Sequence, residues 1–202
     1  MPAGVFAHGF FTVDGEKMSK SLGNAISPVD LSTTYGNDAL RIGLLSAFEF
    51  GNDGDFSRAH FDTIYNSQLA GGIGNLFNRV LVLIDKFLEG EKPEASTKDM
   101  SAYVQKIEEA FDNLELKKAI EAYFSVVDDA NQLLNETEVW RMAKTDLEGA
   151  KNVFADLLAY LDFLADYASV FLPEKAQEMK EMLGDESKIG KSGVLYPRVR
   201  MD

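Results

Sequence analysis

A chain of 202 residues with 46% hydrophobic and 26% charged residues can bury a core, so its composition argues against an intrinsically disordered protein. The net charge of −13 argues against a protein that coats DNA or RNA nonspecifically, because such proteins need an excess of cations to neutralise phosphates. The chain has no cysteine, which excludes disulfides and thiolate metal sites, and its two histidines, His8 and His60, are too dispersed to indicate a metal centre.

The N-terminal residues carry neither the basic region nor the long apolar run of a secretory signal. No segment reaches the roughly 20 apolar residues needed to span a bilayer, so we expect a cytoplasmic, non-membrane protein. The sequence VFAHGFFTV, residues 5–13, is rich in β-branched and aromatic residues. It predicts a strand that ends in a turn at Asp14 and Gly15.

A short basic loop follows, with the sequence DGEKMSKSLGN at residues 14–24. Its glycines let the backbone approach a ligand, while Lys17 and Lys20 supply compact cations and Ser19 and Ser21 supply hydroxyls. This combination suits a polyphosphate, although the Walker pattern G-x-x-x-x-G-K-[ST] is absent. From these residues alone, a phosphate-binding loop and an ordinary solvated lysine loop both remain open.

Two short helices are predicted next. Ser27 is a candidate N-cap, with Pro28 at the first helical position and Asp30 three residues after the cap, so a helix is expected to end near Gly36. A second helix is predicted from Asn37 through DALRIGLLSAF. The sequence EFGNDGDFS is dense in turn-forming residues, and its serine, residue 57, can cap the helix that follows.

A long amphipathic helix is predicted from Arg58 to about Glu89, because apolar residues recur there at steps of three and four. Gly71, Gly72 and Gly74 lie inside it, each at a cost of about 1 kcal/mol relative to alanine. They indicate close packing, a kink, or a surface where something approaches the backbone.

The rest of the chain predicts further helices, joined by a polar linker at 89–99 and by the sequence NETEVWRMAK. Pro173 ends a long helix, a short charged helix reaches Gly184, and the last residues form an extended tail. The predicted fold is therefore mainly α, with a small α/β segment followed by a helix bundle. The predicted domains are residues 1–57, residues 58–184 and a tail of residues 185–202.

Several motifs in order resemble one enzyme family. Residues 17–21, KMSKS, match the signature loop of class I aminoacyl-tRNA synthetases. The surrounding HGFFTVDGEKMSKSLGNAISPVDL, together with YGNDALRIGLL, YNSQLAGGIGNLFNRVL, NETEVWRMAK and LYPR, is similar to methionyl-tRNA synthetase in particular. The resemblance covers essentially the whole chain. It implies the C-terminal part of that enzyme: the mobile loop, a segment that contacts the tRNA stem, and a helical anticodon-binding domain.

For the loop, the resemblance implies closure over ATP while methionyl-adenylate forms. Lys20 would stabilise the charge that develops on the triphosphate and Lys17 would assist, which makes these two the expected catalytic residues. Met18, Ser19 and Ser21 would complete the ATP-binding loop. ATP with Mg²⁺ is implied for the full enzyme, and no metal is expected to bind this chain.

For the helical part, the resemblance implies that Asn75, Arg79 and Trp140 read the anticodon of tRNA(Met). Asn75 and Arg79 are four residues apart, so they share a helix face about 120° from the apolar stripe. Asparagine and arginine can address base edges, and tryptophan offers a stacking platform. The alternatives are that Trp140 only packs in the core and that Arg79 is only a solvated surface residue. Val139 stands where many relatives have proline, which could alter the turn that presents Trp140.

The sequence contains no HIGH-type motif, which class I synthetases need to hold ATP, and the methionine pocket would lie upstream of Met1. We therefore expect the chain alone to be inactive, acting on methionine and ATP only together with a catalytic N-terminal half. A C-terminal fragment of a methionine–tRNA ligase, a stand-alone tRNA-binding module without catalysis, and a related class I synthetase for another amino acid remain as alternatives. No DNA and no membrane partner is expected.

Overall fold

A computed structural model describes residues 4–5, 7, 9–13, 15–19, 21–49 and 51–199. Near its start lies a small sheet of three strands in the order β2-β1-β3, formed by Phe11–Val13 (β1), Glu16–Lys17 (β2) and Gly54–Phe56 (β3). Strand β1 pairs antiparallel with β2 and parallel with β3.

The strand prediction for residues 5–13 holds only for β1, and the described residues before it are not in a strand. Strand β3 was missed, since it lies in a stretch that we predicted as turns. It exists because Gly54, Asp55 and Phe56 pair with β1 more than forty positions earlier in the chain. Local turn propensity carries no information about such a distant partner.

Both predicted short helices are confirmed. Helix α1 spans Pro28–Tyr35, and the Ser27 hydroxyl accepts a hydrogen bond from the amide of Asp30 at 3.3 Å. Gly36 separates it from helix α2, Asn37–Ser46, with a φ of 84° that favours glycine.

The long helix predicted from Arg58 to about Glu89 is continuous but is not α-helical throughout. An α-helical turn, Arg58–Thr63 (α3), leads into a π-helix over Ile64–Gly74, and the α-helix resumes as Asn75–Leu88 (α4). The prediction of an α-helix was therefore wrong for the central eleven residues. Apolar steps of three and four residues fit an α-helix, and they do not reveal where the backbone hydrogen bonds widen to join residues i and i+5.

The remaining helices form the bundle that the sequence predicted. They are α5 (Ser101–Asp112), α6 (Leu116–Thr137), α7 (Val139–Met142), α8 (Leu147–Phe171) and α9 (Ala176–Leu183). Helix α6 packs on α5 and α8, and α8 also packs on α4, α7 and α9. The described tail beyond Leu183 contains no helix, and its Lys188 forms a single β-bridge with Glu91.

One hydrophobic core runs from helix α1 to the tail, where Leu195 and Tyr196 are buried. The fold is thus mainly α with a small sheet, as expected, while the domain boundaries at 57 and 184 stay predictions. Among the described helices, none is long and apolar enough to cross a membrane.

Asp38 is the one charged or polar residue found buried in the described part of the chain, with 1% of its surface exposed. Its carboxylate accepts hydrogen bonds from the amides of Glu174 (2.9 Å) and Lys175 (3.1 Å) and from the Tyr196 hydroxyl (2.9 Å). In return, the Glu174 carboxylate accepts hydrogen bonds from the Asn37 amide (2.9 Å) and side chain at the start of α2. These reciprocal bonds fasten the segment after the basic loop to the bundle and the tail.

Candidate functional site

The basic loop grows out of the small sheet. Lys17 is the last residue of β2, where it pairs with Thr12 of β1. Its side chain is exposed, and its ammonium lies 5.9 Å from the centre of the Phe10 ring. Position 17 is therefore fixed by the backbone ladder while its charge stays available to a ligand.

Asn24 closes the loop from its far end. Its side-chain oxygen accepts a hydrogen bond from the Ser19 amide at 2.8 Å, and its side-chain nitrogen donates to the Lys17 carbonyl at 3.3 Å. The hydroxyls of Ser19 and Ser21 are 2.7 Å apart and hydrogen-bonded to each other. The serines therefore shape the loop, and Met18 lies between them and Lys17, half-buried. Lys20, the expected principal catalytic residue, lies outside the described residues.

Asp55 of β3 fixes the hairpin that carries the loop. Its carboxylate accepts hydrogen bonds from the Gly15 amide and the Thr12 hydroxyl, each at 2.8 Å. The bond from Gly15, followed by that from Thr12, lowers the pKa of Asp55. The carboxylate thus stays ionised and ties the turn before Lys17 to the neighbouring strand.

The second candidate site lies on α4. Asn75, the first residue of that helix, is exposed, and Arg79 one turn later is half-buried. The Arg79 guanidinium donates hydrogen bonds to the side-chain oxygens of Asn131 (3.3 Å) and Asn135 (3.2 Å) on α6. Asn131 itself donates to the Val127 carbonyl at 3.0 Å, which orients its oxygen towards Arg79.

Trp140 is presented by a sharp reversal after α6. Glu138 adopts the left-handed conformation with φ 42°, ends α6 and precedes α7. Val139 then inserts into the core with no exposed surface, and Trp140 packs against that core while remaining partly exposed. Val139, which stands where many relatives have proline, therefore anchors the turn through its buried side chain.

Two of the expected anticodon-reading residues lie near the C-terminal end of α6. Arg79 reaches α6 as far as Asn135, and Trp140 follows Asn135 by five residues across the reversal. Asn75 lies one turn before Arg79 on α4. Arg79 and Trp140 are sixty-one positions apart in the sequence, and Arg79 reaches this end of α6 because α4 packs on α6.

Sequence reasoning missed the side chains that hold these candidates in place. Asn24 follows Gly23, a pair typical of turns whose side chain bonds the backbone, and this signal could have identified it. Asn131 and Asn135 are spaced four apart and share a face of α6. That spacing is compatible with a joint partner but does not identify Arg79.

Two family models match the chain. The model for class I tRNA synthetases (M) matches residues 1–81, and the model for the anticodon-binding domain of methionyl tRNA ligase matches residues 87–192.

Curated relatives and solved structures agree with these models. The chain is 33% identical to a methionine–tRNA ligase of Synechocystis sp. over 91% of its length, and 32% identical to that of Clostridium acetobutylicum over its full length. It spans 37% and 36% of the lengths of these two proteins. The structure of Mycobacterium tuberculosis methionyl-tRNA synthetase in complex with methionyl-adenylate matches 95% of the chain with a TM-score of 0.81 and 28% identity, and 43% of that protein is covered.

Proposed function

The chain belongs to the family of methionyl-tRNA ligases, and we propose from this premise that it supplies two parts of such an enzyme. The helical face around Asn75, Arg79 and Trp140 would bind the anticodon of tRNA(Met). The loop at 17–21 would contact the phosphates of ATP. The complete enzyme would join methionine to tRNA(Met) through methionyl-adenylate.

The anticodon proposal rests chiefly on the way Arg79 is held. Arg79 is half-buried, and its guanidinium on α4 donates to two amide oxygens of α6, whereas a merely solvated arginine would not need such supports. A guanidinium has five N–H donors, so donors remain for the edge of an unstacked base. Neighbouring Asn75 is exposed and can both donate and accept.

Trp140 would add a stacking surface. Its indole is anchored on one side by the core and is partly exposed on the other, which limits the entropy lost when a base stacks on it. Stacking of a base on an aromatic side chain contributes about 1–3 kcal/mol. The helical face therefore combines hydrogen bonding and stacking, the two contacts that single-stranded RNA loops require.

For the loop, the donors fit a triphosphate. An exposed Lys17 ammonium and two serine hydroxyls stand on a hairpin whose turn is tied down by Asn24 and Asp55. In the proposal, Lys17 and Lys20 place positive charge where negative charge grows during adenylate formation, with Lys20 dominant. In the complete enzyme, Mg²⁺ would accompany ATP.

We further propose that this polypeptide alone does not activate methionine, since its 202 residues contain no HIGH-type motif. The alternative is a stand-alone tRNA-binding module, which is favoured by the fact that both supports of Arg79 lie within this chain. The presence of the intact KMSKS sequence favours the ligase, because a pure binding module has no use for a phosphate loop.

Fluorescence anisotropy with a labelled stem-loop that carries the methionine anticodon tests the RNA site. We expect Trp140→Ala and Arg79→Ala each to weaken binding by about tenfold or more, the equivalent of one stacking or charged contact. Arg58→Ala removes an exposed arginine from α3 and serves as the matched control. Unchanged affinity in both variants would show that the assigned face is wrong.

Pyrophosphate exchange tests the catalytic half of the proposal. The isolated chain should show no exchange with ATP and methionine. Clear exchange would contradict the proposal that methionine activation needs a catalytic part that this chain lacks.

A further inference from the structure

The π-helix at Ile64–Gly74 lies directly before the face that carries Asn75 and Arg79. π-Helical hydrogen bonds join residues i and i+5, and such segments are rare and mostly a single turn long. Here the π pattern covers eleven residues. A segment of this length must affect the direction in which the following helix presents its side chains.

Buried side chains line the π-helix and continue onto α4. Tyr65, Leu69, Ile73 and Phe77 are buried at successive steps of four residues. These side chains remain against the core across the change from π-helix to α-helix, so the winding of the π-helix determines the rotation at which α4 begins.

Gly71 is the residue at which the π-helix leaves no room for a side chain. A Cβ atom at residue 71 would lie 2.7 Å from the carbonyl oxygen of Asn66, five residues earlier, which is closer than real Cβ contacts. At Gly72 and Gly74 the corresponding distances to the carbonyls of Ser67 and Leu69 are 3.0 Å each. The clash at residue 71 involves backbone, so a side chain there must displace the helix itself.

We propose that Gly71 is a positioning residue for the anticodon-binding face: it permits the π-helix, and the π-helix sets the rotation of α4 that places Arg79 against Asn131 and Asn135. This inference rests on the proposed function. Changing one π turn into an α turn shifts the register by one residue, or about 100° of rotation around the helix axis. A shift of that size would carry the Arg79 guanidinium away from its two amide partners or pull the buried stripe of α4 out of the core.

The test uses Gly71→Ala in the full chain, with Gly193→Ala as the matched control because a Cβ at residue 193 meets nothing within 4 Å. Couplings across hydrogen bonds, measured by NMR, identify the carbonyl that accepts the amide of residue 71. We expect the acceptor to change from Asn66 to Ser67 in Gly71→Ala, and affinity for the anticodon stem-loop to fall by about tenfold or more, as for loss of a charged contact. The control should change neither.

Either effect without the other would overturn the proposal, as would a folded Gly71→Ala chain identical to wild type in both measurements. If Gly71→Ala does not fold, Gly72→Ala applies the milder 3.0 Å contact to the same segment and is judged by the same two measurements. If the wild-type chain binds no stem-loop, the proposed function fails by itself. A crystal structure of the Gly71→Ala variant then tests the positioning role. The proposal requires that Arg79 no longer bonds Asn131 and Asn135, and retention of both bonds would overturn it.

Discussion

The basic loop and the helical face are built in opposite ways. The loop is exposed, stands on strands of two and three residues, and is shaped by side chains that bond its backbone, chiefly Asn24 and Asp55. The helical face is supported from beneath: Arg79 is held by α6, and Trp140 follows a fully buried Val139. One site is arranged by short-range hydrogen bonds at the surface, and the other by long-range packing.

This difference indicates which site can function within the isolated chain. A face whose supports all lie in the bundle has its geometry before RNA arrives, which lowers the entropic cost of binding. A loop held by exposed hydrogen bonds opens at little cost in free energy. That suits a segment that closes over a ligand, but such a loop needs a pocket to close upon.

The largest effect that we expect concerns the buried carboxylate that joins the loop side of the molecule to the bundle. Asp38→Ala leaves the amides of Glu174 and Lys175 and the Tyr196 hydroxyl without their acceptor. The free energy of unfolding should fall by about 3 kcal/mol, since buried donors without partners cost about 1–3 kcal/mol each and part of this is recovered by relaxation. Urea denaturation measures the change. Asp85→Ala on the exposed side of α4 is the control and should stay within about 0.5 kcal/mol of wild type.

The next effect concerns Asn131, which holds Arg79 in place but is not itself expected to contact the RNA. Asn131→Ala removes an oriented acceptor of Arg79, so stem-loop affinity should fall by about three- to tenfold, or about 1 kcal/mol. Gln132→Ala, one position further along α6 and exposed, is the control. Equal affinity of Asn131→Ala and wild type in anisotropy titrations would mean that Arg79 needs no support from α6.

A smaller effect is expected at the loop. Asn24→Ala should accelerate hydrogen exchange at the Ser19 amide, because that amide loses its acceptor. The free energy of unfolding should change by less than about 1 kcal/mol, since the bond is only partly buried and water can replace the lost acceptor. Stem-loop affinity should not change. A large loss of global stability would contradict the contrast between the two regions.

The smallest effect concerns His60, which lies in α3 between the two regions. Burial, with a smaller contribution from Lys117, lowers its pKa, although a hydrogen bond with the Gly43 backbone opposes the shift. The unfolded chain therefore binds a proton at His60 more readily, so this residue's contribution to stability is present above its ordinary pKa and is lost as the pH falls from that value through the lower pKa of the folded state. An NMR titration should give a pKa below about 6.5. The His60→Gln variant assigns the signal, and a pKa at or above the ordinary value would contradict the burial argument.

The sequence predicted the features that depend on local chemistry. The cap at Ser27, the stop at Gly36 and the end of α8 before Pro173 each follow from one residue's backbone or side-chain preference, and the structure confirms them. The KMSKS match and the later motifs identified the family, which the family models confirm.

The features that were missed depend on partners far along the chain. Strand β3 exists only through its pairing with β1, and the supports of Arg79 lie on a helix that begins near residue 116. The π-helix was missed because apolar steps of three and four were interpreted as an ordinary amphipathic α-helix, and that pattern does not reveal backbone hydrogen bonds between residues i and i+5. The roles of Lys17, Asn75, Arg79 and Trp140 stay predictions.

The most direct test of the central claim compares two stem-loops that differ only in their anticodons, titrated against the unmodified chain in the same buffer and at the same salt concentration. If the helical face reads bases, the stem-loop with the methionine anticodon should bind at least about tenfold more tightly than one with an unrelated anticodon, since a mismatched base contact costs about 1–3 kcal/mol. Equal affinity for the two stem-loops, or no binding of either, would contradict the claim that this face recognises the anticodon without the rest of the enzyme.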